Sequence, residues 1–428
     1  MPGAPGQRLP WLVPGTAVVA YLLATGRWGS YLGVPSRSVY VTDLLLGGSL
    51  LWAVVRHRSA FVVDRRALLR MAPVMALLVW AVVRAFAGGM SRTDAFRDLA
   101  PYAYLVVAGL AVVRWAPGAG ARTFRVLIAA LILHAAWVTF ALVDPTGVGQ
   151  LPMIGGQVRL LSLRQDWDGS MLAVLAGSCL YLAVRSRSLI QASAWLGVTV
   201  WASALVPLLA SRASLLALIS AFLVASLCLV RPLRPVMRRW PTATAVVVVL
   251  LIGLLAITVP QTPIYKRLAG DPAYAQNGAS GTAQARQTAW AEVLDYTNRS
   301  GVRVAFGVGM GPDFLKASGA SINYQAVGKD LVRQPHNFLI NTYARLGALG
   351  LLLMLWLLTA LARRTWTILR SEQRRAVDLI RVLLVVTLLT TSLIGVILES
   401  PFGMIPFAWA AGGILMYRHV SAHRPAAE

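Results

Sequence analysis

From end to end the chain alternates long apolar runs with short polar breaks rich in arginine. A run of roughly 20 apolar residues is long enough to cross a bilayer as a helix. Such runs centre near Val18, Leu46, Leu77, Val107, Leu133, Val174, Val200, Ser220, Leu250, Leu353, Leu388 and Trp409. Some carry Pro or Gly, which membrane helices tolerate where neighbours satisfy the freed backbone groups. The pattern predicts an all-α, polytopic membrane protein with about 12 transmembrane helices. Residues 1–428 read as a single membrane domain, with one large external loop or cap, 260–335, between the ninth and tenth spans. The run from about Trp11 lacks a small-residue cleavage site and reads as the first span, not a signal peptide.

Composition agrees with this reading. Hydrophobic residues make up 57% of the chain and charged residues 13%, and the mean hydropathy is +0.65. A soluble fold has no means of hiding that much apolar surface. The net charge of +24 would indicate nucleic acid if the basic residues formed one patch. They fall instead in small clusters between apolar runs, so a nucleic-acid partner is excluded. Cys179 and Cys228 lie inside apolar runs and read as small buried hydrophobes, not as a disulfide or zinc ligands.

The arginine clusters also set the orientation. Arg56 to Arg70, Arg114 to Arg125, Arg185 and Arg187, Arg231 to Arg239, and Arg363 to Arg375 fall on alternate breaks. Excess positive charge marks the cytoplasmic side, which puts both termini inside a cytoplasmic (inner) membrane. The outer breaks are then Arg27 to Arg37, Arg92 to Asp98, Asp144 to Asp168, Ser211-Arg212, Pro260 to Pro335, and Glu399 to Pro401.

The long loop holds every lysine of the chain (Lys266, Lys316 and Lys329). Within it, Gln284 to Tyr296 predicts an amphipathic helix with Arg286, Trp290 and Leu294 on one face. Phe306-Gly-Val-Gly-Met-Gly-Pro-Asp-Phe314 is a glycine-rich turn whose backbone amides are placed to approach a ligand. Next comes Arg333-Gln-Pro-His336-Asn337-Phe338, a polar segment that runs straight into an apolar helix.

His57, His419 and His423 fall on the inner side and His134 within a span, leaving His336 as the histidine of the outer face. Its side chain titrates near working pH. Asn337 reads either as a helix cap or as a substrate ligand. The same face collects Arg159, Arg164, Arg212, Arg286 and Arg333, whose planar donors suit phosphate oxygens. One histidine among outward-facing arginines fits a lipid-linked phosphorylated substrate. The arginines hold a diphosphate as it leaves, and the histidine takes a proton from an attacking hydroxyl. Asp166-Trp-Asp168 has the spacing of a metal-binding pair, yet capping of the next helix by Asp168 is the stronger reading, so no metal or other cofactor is expected.

Three segments together resemble the O-antigen ligase and O-antigen polymerase family of membrane glycosyltransferases. They are Leu208-Leu-Ala-Ser211-Arg212-Ala-Ser-Leu215, then Arg286 with Trp290 and the Phe306–Phe314 turn, then Pro335-His336-Asn337-Phe338-Leu339 with Leu346-Gly347-Ala-Leu-Gly350. The resemblance covers roughly residues 205–355. It implies a metal-independent, inverting transferase that uses a polyprenyl-diphosphate-linked oligosaccharide as donor. Arg212 and Arg286 would contact the donor diphosphate, and His336 would be the base for an acceptor hydroxyl. Arg159, Arg164, Arg333 and Asn337 are substrate-binding candidates by location. Ala213 stands where the family frequently has glycine. Arg345 stands where it often has an acidic residue, and reads as structural and headgroup-facing.

The expected partners are the lipid-linked donor, a glycan, lipid or protein acceptor, and membrane lipids. Ligation and polymerisation share the donor chemistry and both stay open, with a lean toward a surface or exopolysaccharide polymerase. The alternative is a twelve-span secondary transporter or lipid-linked glycan flippase. Transporters place ionisable residues near the bilayer midplane and often show related halves; here the charges gather at the outer boundary and the halves differ.

Overall fold

The computed structural model describes residues 12–34, 39–56, 64–87, 93–116, 118–155, 158–239, 279–325, 333–371 and 373–417. The principal helices are α1 (Thr16–Gly29), α2 (Val41–Arg56), α3 (Arg65–Ala87), α4 (Thr93–Ala103), α5 (Ala119–Val143), α6 (Gln165–Arg185), α7 (Leu189–Leu208), α8 (Arg212–Arg239), α9 (Ala279–Asn298), α10 (Phe338–Arg370), α11 (Ala376–Ser392) and α12 (Pro401–Leu415). Strand structure among the described residues is confined to two short antiparallel hairpins, Gly33–Val34 with Val39–Tyr40 and Met153–Ile154 with Val158–Arg159.

The chain is an all-α polytopic membrane protein. Seven of the described helices are long and apolar enough to cross a membrane, and Val41–Val55 and Pro401–Leu415 are shorter apolar helices. Each predicted span centre falls on a helix apart from the one near Leu250, which lies outside the described residues, as do Lys266, Lys329, His57, His419 and His423.

The bundle is built around α6, whose apolar window is 83% buried, whereas that of α7 is only 22% buried. This contrast explains α7: its apolar residues Leu189, Ile190 and Val200 are exposed, the pattern of a helix that presents its side chains to lipid. Close contacts require small residues. A Cβ on Gly412 of α12 would fall 2.3 Å from the Ala108 carbonyl oxygen in the 3₁₀ segment Tyr104–Val112. One on Gly169 of α6 would fall 2.2 Å from the Ser214 Cβ.

The segment before α10 packs around a satellite core of Ala289, Val293, Phe314, Leu315, Ala320, Tyr324 and Ala344. The buried stripe of α9 is Ala289, Val293 and Thr297. The expected face of Arg286, Trp290 and Leu294 is only partly buried and lies beside that stripe. The apolar side chains seat the helix, and the larger amphipathic ones reach over to its neighbours.

Two glycine segments interlock beneath this unit. Gly347 has φ 71° and breaks α10; Gly307 has φ 72°, and a Cβ on it would fall 2.3 Å from the Arg345 carbonyl oxygen. The Val308 amide donates to Ala344 O (2.8 Å) and the Gly309 amide to Arg345 O (3.0 Å). The Gly311 amide donates to the Asp98 carboxylate (3.0 Å). The expectation that the amides of Phe306–Phe314 approach a ligand is therefore corrected for Val308, Gly309 and Gly311. These amides already have protein partners, because the turn lies against the kinked helix.

Candidate functional site

His336 is held at a corner pinned on both sides. Ahead of it, the Pro335 carbonyl accepts hydrogen bonds from the Trp290 indole N–H and from the Tyr324 hydroxyl (2.8 Å for the latter). Behind it, Asn337 caps α10: its side-chain oxygen accepts from the Leu339 and Ile340 amides at 3.0 and 3.1 Å. Its amide nitrogen donates to Leu393 O at 3.0 Å. His336 between them has φ 55°, a left-handed conformation uncommon outside glycine. Such backbone persists where its surroundings over-determine it, and here the pins do so. The imidazole ring lies 5.4 Å from the Tyr324 ring, tilted by 32°. Burial raises the Tyr324 pKa; Arg286 opposes the rise and Glu399 adds to it. The phenol therefore stays protonated and keeps donating to Pro335.

The arginines approach the same corner from other helices. Arg286 donates to Ile394 O at 2.8 Å, one residue beyond the carbonyl that Asn337 holds. Burial pulls its pKa below the ordinary value; Tyr324 and Asp166 oppose this, and the Arg212 charge adds to it. Two guanidinium groups close enough to repel, one of them partly buried, suit an anion carrying several oxygens. Arg212 opens α8 just after Ala210, whose φ is 51°. Its place is fixed by Ser214, which donates to Gln165 O at 2.6 Å across to the start of α6.

The turn between α11 and α12 joins these parts. Leu393 and Ile394 accept from Asn337 and Arg286, and a Cβ on Gly395 would fall 3.1 Å from an Asp166 carboxylate oxygen. Arg164 lies over the Phe402 ring at the start of α12, 5.2 Å from its centroid. Helices α6, α8, α10 and α12 thus all begin around this turn. Sequence reading treated Glu399 to Pro401 as a plain loop and overlooked Tyr324. The available signal was an isolated carboxylate between two apolar helices; nothing local in the sequence marks Tyr324.

The remaining candidates take structural partners. Arg164 pairs with Asp166 through Nε (2.9 Å) and Nη2 (3.3 Å). Asp168 accepts from the Arg164 amide at 2.6 Å and stands 3.4 Å from His134; it is buried inside the first turn of α6, which begins at Gln165, and is not the cap expected of it. Arg159 donates to Leu151 O at 2.8 Å within its own hairpin. Arg333 reaches Asp94 (3.1 Å), Asp98 (3.5 Å), Asp313 (3.8 Å) and Gly311 O (2.9 Å). Arg345 is 1% exposed and pairs with Asp98 at 2.8 Å. It is structural, as expected, but not headgroup-facing: the kink at Gly347 turns it inward onto α4. Asp94 and Asp98, assigned to an outer break, lie in α4 and balance these arginines.

The O-antigen ligase family model matches residues 197–355. Over that segment, which is less than half of the chain, the protein is similar to the O-antigen ligase family. The matched segment takes in Arg212, Arg286, His336, Gly347 and Gly350, and thus both halves of the interlock and both arms of the corner. The turn carrying Ile394 and Glu399 lies beyond it. No curated protein is significantly similar to the chain. The apolar helices make this a membrane-embedded protein, and the matched segment supports a glycan-transferring role.

Proposed function

We propose that the chain transfers or polymerises a polyprenyl-diphosphate-linked oligosaccharide onto an acceptor hydroxyl at the outer face of the cytoplasmic membrane. The observation that carries this reading is the pinned His336 corner beside the turn that holds Arg286. His336 takes the proton of the acceptor hydroxyl as the hydroxyl oxygen attacks the anomeric carbon. The bond from that carbon to the diphosphate oxygen breaks, its electron pair leaves with the diphosphate, and Arg212 and Arg286 receive the charge. One displacement inverts the anomeric centre.

Arg164 and Asn337 act as positioning residues in this reading, because Asp166, the α10 amides and Leu393 O occupy them. Arg333 and Arg159 likewise brace the outer segments. The reaction is written without a metal, since Asp166 and Asp168 face different partners, Arg164 and His134. Carried across with the rest, the described part of the 260–335 loop, 279–325 and 333–335, forms a cap on the membrane domain.

The test is reconstitution of the full chain in lipid vesicles with a polyprenyl-diphosphate oligosaccharide and an acceptor. Wild type should release polyprenyl diphosphate and extend the acceptor, and His336→Ala should lose both while remaining folded. Transfer by the mutant at the wild-type rate would remove the proposed base. Movement of the intact donor between leaflets without bond cleavage would make the chain a flippase. Inhibition by chelator, restored by a divalent ion, would return Asp166 and Asp168 to the chemistry.

A further inference from the structure

Glu399 ends the 3₁₀ turn Ile397–Glu399 and is 8% exposed, yet neither of its carboxylate oxygens has a hydrogen-bond partner. Among the described residues it is the carboxylate with both oxygens buried and unpartnered. Its neighbours are not in that position. Asp98 holds Arg345 at 2.8 Å and Asp166 holds Arg164 at 2.9 Å. A buried polar group with no partner in the protein marks a place for something the protein does not supply.

The surroundings say what fits. The turn that carries Glu399 also accepts the hydrogen bonds from Arg286 and Asn337. The Glu399 charge is felt at Tyr324, whose ring lies beside His336. Arg345 and Arg164 draw on it electrostatically, and neither forms an ion pair with it. Burial, the largest influence, pushes its pKa up to about 8, with both arginines pulling down and Asp98 pushing up. Near neutral pH the group therefore offers one O–H donor and one acceptor. That combination complements a sugar hydroxyl, which also donates and accepts. Guanidinium groups only donate, and they suit the diphosphate instead.

We propose that Glu399 binds a hydroxyl of the sugar at the transfer point. The proposal rests on the glycan-transfer reading above and adds to it a group that selects the glycan rather than the lipid diphosphate. The hydroxyl belongs either to the donor sugar or to the acceptor, and the experiment separates the two.

Full-length wild type, Glu399→Leu, Glu399→Asp and Glu399→Gln are placed in lipid nanodiscs. Affinity is measured for polyprenyl diphosphate with and without its oligosaccharide, and KM for the acceptor. In Glu399→Leu the preference for the glycosylated lipid should fall at least about tenfold, or the acceptor KM should rise as much, the size of one lost hydrogen bond to a partly charged group. Binding of the bare polyprenyl diphosphate should change less than about twofold. Glu399→Gln, neutral with a donor and an acceptor, should restore most of the loss.

A change in the donor preference assigns the hydroxyl to the donor; a change in acceptor KM assigns it to the acceptor. If Glu399→Leu does not fold, Glu399→Asp decides, since withdrawing the carboxyl by one methylene should move the same ratio. An active wild type with both ratios unmoved in the folded variants overturns this proposal alone. A wild type that neither binds the glycosylated lipid nor transfers its glycan overturns the parent reading, and this one with it.

Discussion

Gly347 rests directly on Ala305: a Cβ at position 347 would lie 2.4 Å from the Ala305 carbonyl oxygen. The positive φ of Gly347 adds a second penalty for any other residue. Gly347→Ala should destabilise the protein by about 1–3 kcal/mol or more and reduce glycan transfer further than stability alone accounts for. The kink it controls sets the direction of the helix that begins beside His336. Thermal unfolding in detergent, read beside transfer at a temperature where the mutant is folded, checks both effects.

Asp98 is shared by two arginines, paired with Arg345 at 2.8 Å and approached by Arg333 at 3.5 Å. Removing one partner of a buried pair leaves an uncompensated charge, at a cost of about 3–5 kcal/mol. Asp98→Ala should lower the yield of folded protein sharply. Asp98→Ala combined with Arg345→Met should recover part of it, because the double change buries no lone charge. Size-exclusion profiles of the three proteins test this, and a double mutant no better than the single would refute it.

Asn337→Asp should separate capping from docking. The aspartate still accepts from the Leu339 and Ile340 amides and keeps a good N-cap. It has no donor for Leu393 O, which the asparagine amide holds at 3.0 Å. Stability should drop by no more than about 1 kcal/mol, while transfer falls because the turn bearing Ile394 and Glu399 is released from the His336 corner. Equal activity at equal stability would show that the Leu393 contact does not matter.

Glu399 also gives the protein a pH signature. Its pKa stands at about 8 in the folded chain against an ordinary 4.5. Between those values the folded state holds a proton that the unfolded state has released, so this group makes stability fall as pH rises through that window. In Glu399→Gln the fall should be shallower. Apparent Tm measured in steps from pH 5 to 8 compares the two slopes; parallel slopes would exclude Glu399 as the source.

The bundle was legible in the sequence because lipid imposes long uninterrupted apolar runs, and α3, α5, α6, α7 and α10 follow them. So was the neighbourhood of Arg212, Arg286 and His336, through short segments whose order survives in the chain. The partners were not legible. Asp98 and Arg345 are far apart in sequence, and their pairing depends on a kink at Gly347 that a continuous apolar run conceals. Arg333 looked like a phosphate ligand because position alone does not reveal Asp94, Asp98 and Asp313 around it. The Leu393–Ser400 turn went unnoticed for a related reason. It contributes two backbone carbonyls, which every residue type possesses.

The meeting of α6, α8, α10 and α12 at one turn means that the positive potential there has two sources. Aligned peptide dipoles place about half a positive charge at each helix start, and no side-chain substitution removes it. Replacing an arginine subtracts one charge from a field whose remainder is written in the backbone. In the proposed transfer, the fold itself is therefore part of the counter-ion.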